Sequence, residues 1–297
     1  MHIKYKKPIL IAEIGCNHKG NLEIAKKMIE IAANCGADYA KFQKRDNREL
    51  LGEDYNLPHP RPENSYGKTY GEHREKLEFT IKQHLQLQKH CSKNNIKYAV
   101  SVWEKKSAEK IIKSKIKLDY IKIPSACNLN FSLLEFLALN FKKDIHISLG
   151  MTTHQEILKI FNFFKKYKRE NSLVFYACTS DYPAKFSDLC LLEITKLKNK
   201  FKNKVKNIAF SGHHKGMSVD IGAYTLGANI IERHFTLDRT WKGTDHAASL
   251  ESEGLKKLKR NLVAINLCLK EKPLKSVLKN ELHQRSKLKK NQILLKN

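Results

Sequence analysis

The chain predicts a (β/α)8 barrel. Three observations lead there. Short apolar strand signals alternate with amphipathic helix signals along 297 residues. The alternation closes into eight strand–helix units joined by short connections. Residues able to do chemistry recur where the strands stop, which is where such barrels carry their sites. A doubly wound open sheet is the alternative, but no GxGxxG follows the first strand.

In order, Pro8 to Ile14 reads as the first strand and Gly15 to Gly20 as a turn. Asn21 to Cys35 repeats Leu22, Ala25, Met28, Ile29 and Ala32 at helical spacing and stops at Gly36. Asp38 to Gln43 is the second strand. Lys44 to Lys76 is a long polar insertion holding Pro58, Pro60 and Pro62, and loops of that length are functional or mobile. Then come helix Leu77 to Asn94, strand Lys97 to Ser101, helix Ser107 to Ser114 and strand Asp119 to Ile123. Helix Phe131 to Asn140, strand Asp144 to Ser148, helix His154 to Lys168 and strand Leu173 to Ala177 follow. Helix Phe186 to Phe201, strand Asn207 to Phe210, helix Gly216 to Leu226, strand Asn229 to Ile231 and helix Ser252 to Lys270 complete the series. The expected domains are a barrel over 1–270 and a basic tail over 271–297.

Hydrophobic content of 41% with 29% charged residues is that of a globular chain large enough to bury one barrel core. No apolar run approaches the roughly 20 residues that span a bilayer, so no membrane partner is expected. The opening MHIKYKKPILIAEIG is basic then apolar, but its apolar part is too short for a signal peptide, and a cytoplasmic location is expected. Seven scattered cysteines without CxxC spacing read as reduced thiols. The net charge of +26 comes mostly from lysines spread over every helix. Lacking an arginine-rich stripe or a known motif, that charge points away from nucleic acid and toward steering of anionic substrates.

The stretch Ile230 to Glu251 carries the densest chemistry: after an apolar start it holds Glu232, Arg233, His234, Asp238, Arg239, Trp241, Lys242, Asp245, His246 and Glu251. A solvated loop is the bland alternative. One strand earlier stand Ser211, Gly212, His213 and His214. A lone His is more often a satisfied polar residue than a ligand. His213 and His234, however, end successive strands and can share a catalytic Mn²⁺, Fe²⁺, Co²⁺ or Zn²⁺ with open positions. The other strand ends supply Glu13, Lys41 with Gln43, Ser101, Lys122 with Ser125, Ser148, and Thr179, Ser180 and Tyr182. Two lysines inside a barrel demand anionic partners. They act either as clamps on a small dianion or, in the competing chemistry, as Schiff-base nucleophiles.

The motifs AEIGCNHKG, KFQ, YIKIPSACN, SLGM, SDYP, SGHHKG and ERHFTLDRTWKGTDHAASLE together resemble the sialic acid synthase family, from Pro8 to about Lys270. That resemblance implies condensation of phosphoenolpyruvate with N-acetylmannosamine or its 6-phosphate. It implies metal ligation by His213 and His234, with Mn²⁺ first and Mg²⁺ or Co²⁺ as alternatives. It also implies phosphoenolpyruvate binding by Lys41, Lys122, Ser125, Ser148, Ser180, Tyr182 and Ser211, and sugar contacts from Glu13, Gln43, Tyr182 and Asp245. Glu13, Glu232, Lys41 and Lys122 would be the catalytic set, in a homodimer. Ser65 to Phe79 resembles the animal members, which take the phosphorylated sugar. The chain departs from the family at Ser180, where Asn is common, and at Val102, where Thr is common. It stops at Asn297, about where an antifreeze-protein-like domain would lend an arginine, and Arg285 is no obvious substitute. A sibling synthase making legionaminic, pseudaminic or deaminated nonulosonic acid is the nearest alternative, and a weakened barrel acting as a binding protein is another.

Overall fold

The computed structural model describes residues 5–269 together with 283, 284, 286 and 287. The expected basic tail, Arg285 included, otherwise lies outside the described residues. Eight parallel strands close into a barrel in sequence order, β1 through β8, with β1 pairing back to β8. They are β1 (Ile9–Gly15), β2 (Tyr39–Lys44), β3 (Lys97–Val102), β4 (Tyr120–Ile123), β5 (Asp144–Ser148), β6 (Leu173–Cys178), β7 (Asn207–Gly212) and β8 (Ile230–His234). Around them run α1 (Leu22–Asn34), α2 (Asn47–Leu51), α3 (Tyr70–Lys76), α4 (Ile81–Lys93), α5 (Lys105–Lys113), α6 (Phe131–Asn140), α7 (His154–Lys166), α8 (Leu192–Phe201), α9 (Ser218–Thr225) and α10 (Ser252–Cys268). The (β/α)8 barrel that the sequence predicts is the fold observed.

Strand alternation builds two cores. Leu10, Ala12 and Ile14 of β1, Phe42 of β2, Ile121 and Ile123 of β4, Ile145 and Ile147 of β5 and Phe210 of β7 point outward and pack under the helices. The opposite faces of the same strands contribute Ile11, Ala99, Tyr120, Val174, Tyr176, Ala209 and Ile230 to a smaller interior cluster. This second cluster plugs the barrel and forms a floor. Continuing two residues along each strand on that inner face reaches Glu13, Lys41, Ser101, Lys122, Ser148, Cys178, Ser211 and Glu232. The polar ring therefore sits directly above an apolar floor.

Helix starts follow capping chemistry: Thr80 and Thr153 cap α4 and α7 in reciprocal capping boxes with Gln83 and Glu156. The expected insertion 44–76 is not bare loop. Thr69 forms a third capping box with Glu72 and starts α3, a signal hidden among polar residues. Two other boundaries shift. The helix expected from Leu77 begins at Ile81, and the one expected from Phe186 begins at Leu192 after a single 3₁₀ turn over Phe186–Asp188.

The last strand extends further than its apolar residues suggest. The ladder continues through Glu232, Arg233 and His234, because Glu232 pairs with Ile11 and Ser211, and His234 with Glu13. Arg233 faces outward into the helix layer and is fully buried. Its Nη1 donates to Asp220 Oδ2 at 2.5 Å and to the Gly216 carbonyl at 2.7 Å, and its Nη2 donates to the His214 carbonyl at 2.6 Å. A buried guanidinium is tolerable only with an anion and acceptors such as these on both of its terminal nitrogens. Replacing Asp220 by Ala leaves it uncompensated, and the expected loss is about 3–5 kcal/mol of folding stability. The double replacement Asp220→Leu with Arg233→Met should recover most of it. Denaturant midpoints measure both, and an Asp220→Ala loss below about 1 kcal/mol would contradict the assignment.

Candidate active site

The register of the strands brings the expected site residues to one level of the barrel. Glu13 lies beside Lys41 on one side and His234 on the other, Ser101 beside Lys122, and Ser211 beside Glu232. Lys41 Nζ pairs with Glu13 Oε2, donates to Ser101 Oγ at 2.9 Å and lies 3.6 Å from Glu232 Oε2. Lys122 Nζ meets Glu232 Oε1 at 2.5 Å, and Ser211 Oγ donates to that oxygen at 3.1 Å. Gln43 Nε2 donates to Glu13 Oε1 at 2.7 Å. The anions that two buried lysines require are thus the chain's own carboxylates.

The four charges share their pairing unequally. Burial opposes ionisation of Glu232, but Lys122 and Lys41 overcome it and hold the carboxyl at about 2. For Glu13 burial wins over the Lys41 attraction, and Glu232 adds repulsion, so its pKa is raised. The lysines split the same way. Burial works against both, yet Glu13 and Glu232 raise Lys41 above its ordinary value, whereas Lys122 is lowered. Glu13 is therefore the carboxyl of the quartet most ready to carry a proton.

In the same cavity two serine hydroxyls crowd Gly150. A Cβ there would come within 2.3 Å of Ser180 Oγ and 2.7 Å of Ser125 Oγ, so only glycine lets the chain approach so closely. Asn128 Nδ2 fixes the turn by donating to the Ser148 carbonyl at 3.0 Å and the Gly150 carbonyl at 3.3 Å. Ser180 Oγ is buried without a hydrogen-bond partner. An unpaired hydroxyl in a cavity that two lysines also line is a chemically suitable donor to an oxyanion.

The two imidazoles face each other across the mouth with ring centroids 5.3 Å apart, and the Tyr182 ring stands 4.2 Å from His213 and 5.6 Å from His234. His213 Nδ1 donates to the Thr179 carbonyl at 2.6 Å, which leaves Nε2 with its lone pair. Burial holds His234 at about 3, so its ring is neutral. Its Nδ1 is buried without a hydrogen-bond partner, 3.7 Å from Asp245 Oδ2. With His213 deprotonated at Nε2, the two ring nitrogens held this way fit a divalent cation with open positions. Among the described residues no group of three or more His, Cys, Asp or Glu forms a metal set.

The cavity holds about 300 Å³ and is lined by every expected site residue. It also takes in residues that the sequence reading passed over: Cys16, Arg45, Trp103 and Cys178. Burial notwithstanding, Cys178, 3.9 Å from His213 Nδ1, is lowered and His213 raised, each stabilising the other's charged form. The insertion closes one side: Tyr66 OH donates to the Lys242 carbonyl at 2.5 Å, and Gly243 N donates to Asn64 Oδ1 at 3.3 Å. Arg45 was the most legible of the missed residues. It sits two positions beyond Gln43 on the same inward alternation.

A closed α/β barrel whose C-terminal mouth gathers two buried lysines, two carboxylates, a serine cradle and two imidazoles is that of an enzyme acting on small anionic substrates. The NeuB family profile matches residues 28–273, and the chain belongs to this family. It is 38% identical over 275 residues to the N-acetylneuraminate-9-phosphate synthase of Drosophila melanogaster, covering 91% of this chain and 71% of the relative. It is 36% identical to the human protein of the same name (94% and 76% covered) and 36% identical to N,N'-diacetyllegionaminic acid synthase of Campylobacter jejuni (85% and 75% covered). Among solved structures it is similar to N-acetylneuraminic acid (sialic acid) synthetase from Leptospira borgpetersenii in complex with citrate. That likeness has a TM-score of 0.79 and 29% identity over 96% of this chain and 93% of that one.

The buried histidines outside the imidazole pair make a stability prediction. His84 hydrogen-bonds Tyr98 OH at 2.7 Å, and burial holds it at about 3. The folded state refuses a proton that the unfolded chain accepts below about 6.5, so stability is complete above that pH and falls as pH drops toward 3. Replacing His84 by Phe should flatten the decline by roughly 1.4 kcal/mol per pH unit between pH 6 and 4. Urea unfolding across that range measures the slope, and an unchanged slope would contradict the neutral, buried imidazole.

Proposed function

We propose that this chain joins phosphoenolpyruvate to the aldehyde carbon of open-chain N-acetylmannosamine or its 6-phosphate, forming N-acetylneuraminate or its 9-phosphate and releasing phosphate. The observation that carries the reading is the pair of buried ammonium groups in one cavity with an unpaired serine hydroxyl, facing two imidazoles, in a chain so similar to synthases of that product. Lys41 and Lys122 hold the phosphate and carboxylate oxygens of phosphoenolpyruvate, with Ser125, Ser148, Ser180 and Ser211 as hydroxyl donors. Gln43, Tyr182 and Asp245 orient the sugar over it.

His213 and His234 hold a divalent metal, Mn²⁺ by preference, which supplies Lewis acidity toward the sugar carbonyl. C3 of phosphoenolpyruvate forms the new bond to the aldehyde carbon, water adds at C2, and phosphate leaves with cleavage of the C2–O bond. Glu13 moves the proton of the adding water, because burial raises its pKa and makes it the carboxyl of the site most ready to carry a proton. Glu232 stays ionised and offers its carboxylate to both lysines. Lys122 is pinned by Glu232 at 2.5 Å and by the Tyr176 face at 3.8 Å, an arrangement that favours a fixed cation over a Schiff-base nucleophile. A homodimer, on the strength of the resemblance, and a cytoplasmic location, on the reading of the opening residues as a strand, complete the reading.

Two measurements check it. Chelation should abolish phosphate release and Mn²⁺ restore it, while calorimetry should find one Mn²⁺ site that is lost in His234→Ala. Mn²⁺ binding unchanged in that variant would remove His234 from the site. Borohydride in the presence of both substrates should trap no adduct, and a mass increase on Lys41 or Lys122 would reinstate the Schiff base.

A further inference from the structure

The strand ends that carry the two imidazoles are joined on their outer side by a buried network whose residues do not line the cavity. Ser211 and His213 line the cavity, whereas Gly212 and His214 turn to the helix layer. On β8, Glu232 and His234 turn inward and Arg233 outward in the same way. Gly212 pairs with Arg233 in the ladder, and a Cβ on Gly212 would fall 2.8 Å from His214 Cε1, so the glycine admits the ring. Arg233 Nη1 donates to His214 Nε2 at 3.0 Å; a guanidinium accepts nothing, so this ring nitrogen is the acceptor. Nη2 takes the carbonyl of the same His214 at 2.6 Å, while Nη1 also serves the Gly216 carbonyl and Asp220 Oδ2. Asp220 Oδ2 lies 3.4 Å from His214 Nε2, and all three side chains are fully buried. One guanidinium thus grips both the ring and the backbone of the residue after His213, and its own residue is the one before His234.

We propose that Arg233, Asp220 and His214 are positioning residues: the clamp they form behind the barrel wall fixes the spacing and orientation of His213 and His234. Where that pair holds a divalent cation, the clamp governs its affinity. This consequence rests on the metal reading above, but the geometry of the clamp stands apart from it. Stability does not call for a charged device here, since apolar side chains of similar volume pack such a site as well or better. A planar fork does what they cannot, setting distance and direction at several acceptors together. The imidazoles need such a constraint. Their ring centroids lie 5.3 Å apart, and His213 Nδ1 is held by the Thr179 carbonyl. His234 Nδ1 has no hydrogen-bond partner, so that ring is placed by its backbone, which Arg233 anchors. A displacement of about 1 Å is costly in a preorganised site.

The double replacement Asp220→Leu with Arg233→Met, which should recover stability without the clamp, separates this role from folding. Its denaturant midpoint should return toward the wild type, whereas its Mn²⁺ affinity by calorimetry should stay roughly 10- to 100-fold weaker. His214→Leu should show the same weakening. His214→Gln, whose amide oxygen can accept from Arg233, should recover part of it, which a loss of packing alone would not do. Histidine-selective ¹⁵N spectra recorded without metal should show the His213 and His234 ring signals displaced in the clampless variants and moved back in His214→Gln. Mn²⁺ affinity within about twofold of the wild type in the double variant and in His214→Leu overturns the proposal, as do unmoved ring signals. Should the double variant not fold, His214→Leu decides alone. A wild type that binds no Mn²⁺, with ring signals that still move in the variants, would sustain the clamp and remove the metal reading instead.

Discussion

Everything at the mouth of this barrel depends on pairing Lys41 and Lys122 with Glu13 and Glu232 at the bottom of a narrow cavity. Each lysine is 2% exposed. An ammonium group at that depth is unfavourable by several kcal/mol unless an anion accompanies it. The carboxylates meet that demand, but they are tethered to neighbouring strands. The charges are therefore held at fixed positions before any substrate arrives, and such preorganisation is what a site for transferring groups requires. On the proposed reading, a substrate dianion entering the cradle would meet cations that are already in place. It competes with Glu13 more easily than with Glu232, because Glu13 is the carboxyl that burial has already biased toward its protonated form.

The strand alternation that places these charges was legible in the sequence, because parallel barrel strands bury both faces and any polar residue inside them stands out. Glu13, Lys41, Lys122 and Ser211 interrupt apolar runs at strand ends, and only an inward position explains them. Glu232 and His234 were legible for the same reason. The strand that carries them was read too short, since Glu232, Arg233 and His234 in a row resemble the start of a loop. What the sequence conceals is that the middle residue turns outward to a buried partner, Asp220, thirteen residues earlier in α9, whose polar residues look like surface. Pairings between distant segments carry no local signal.

The closure of the mouth was legible only in outline. The length of the polar insertion suggested a functional or mobile loop, but its register did not follow from periodicity, because α3 is short and held by capping and aromatic stacking rather than by an apolar stripe. Gly20, at φ +71, shows how the fit is set: a Cβ there would fall 1.9 Å from the Lys76 carbonyl oxygen, so the first turn of the barrel and the end of α3 can approach only through glycine. Trp103 was missed for a related reason. A single indole after a strand reads as core, whereas here it is the shared face for two guanidinium groups.

The floor also bears on the chemistry above it. Lys122 rests on the ring of Tyr176 at 3.8 Å, Tyr176 OH meets His146 Nδ1 at 2.7 Å, and His146 stacks on Tyr120 at 3.7 Å. Burial, reinforced by the Lys122 charge, keeps His146 well below its ordinary pKa, so this column is neutral. A charged histidine there would repel Lys122 and undo the pairing with Glu232. A neutral aromatic stack instead gives the ammonium a fixed seat and a favourable π face. Filling the barrel with aromatic rings rather than aliphatic side chains alone thus serves packing and electrostatics together: the residues that exclude water from the floor also set the height and charge of the lysine above them.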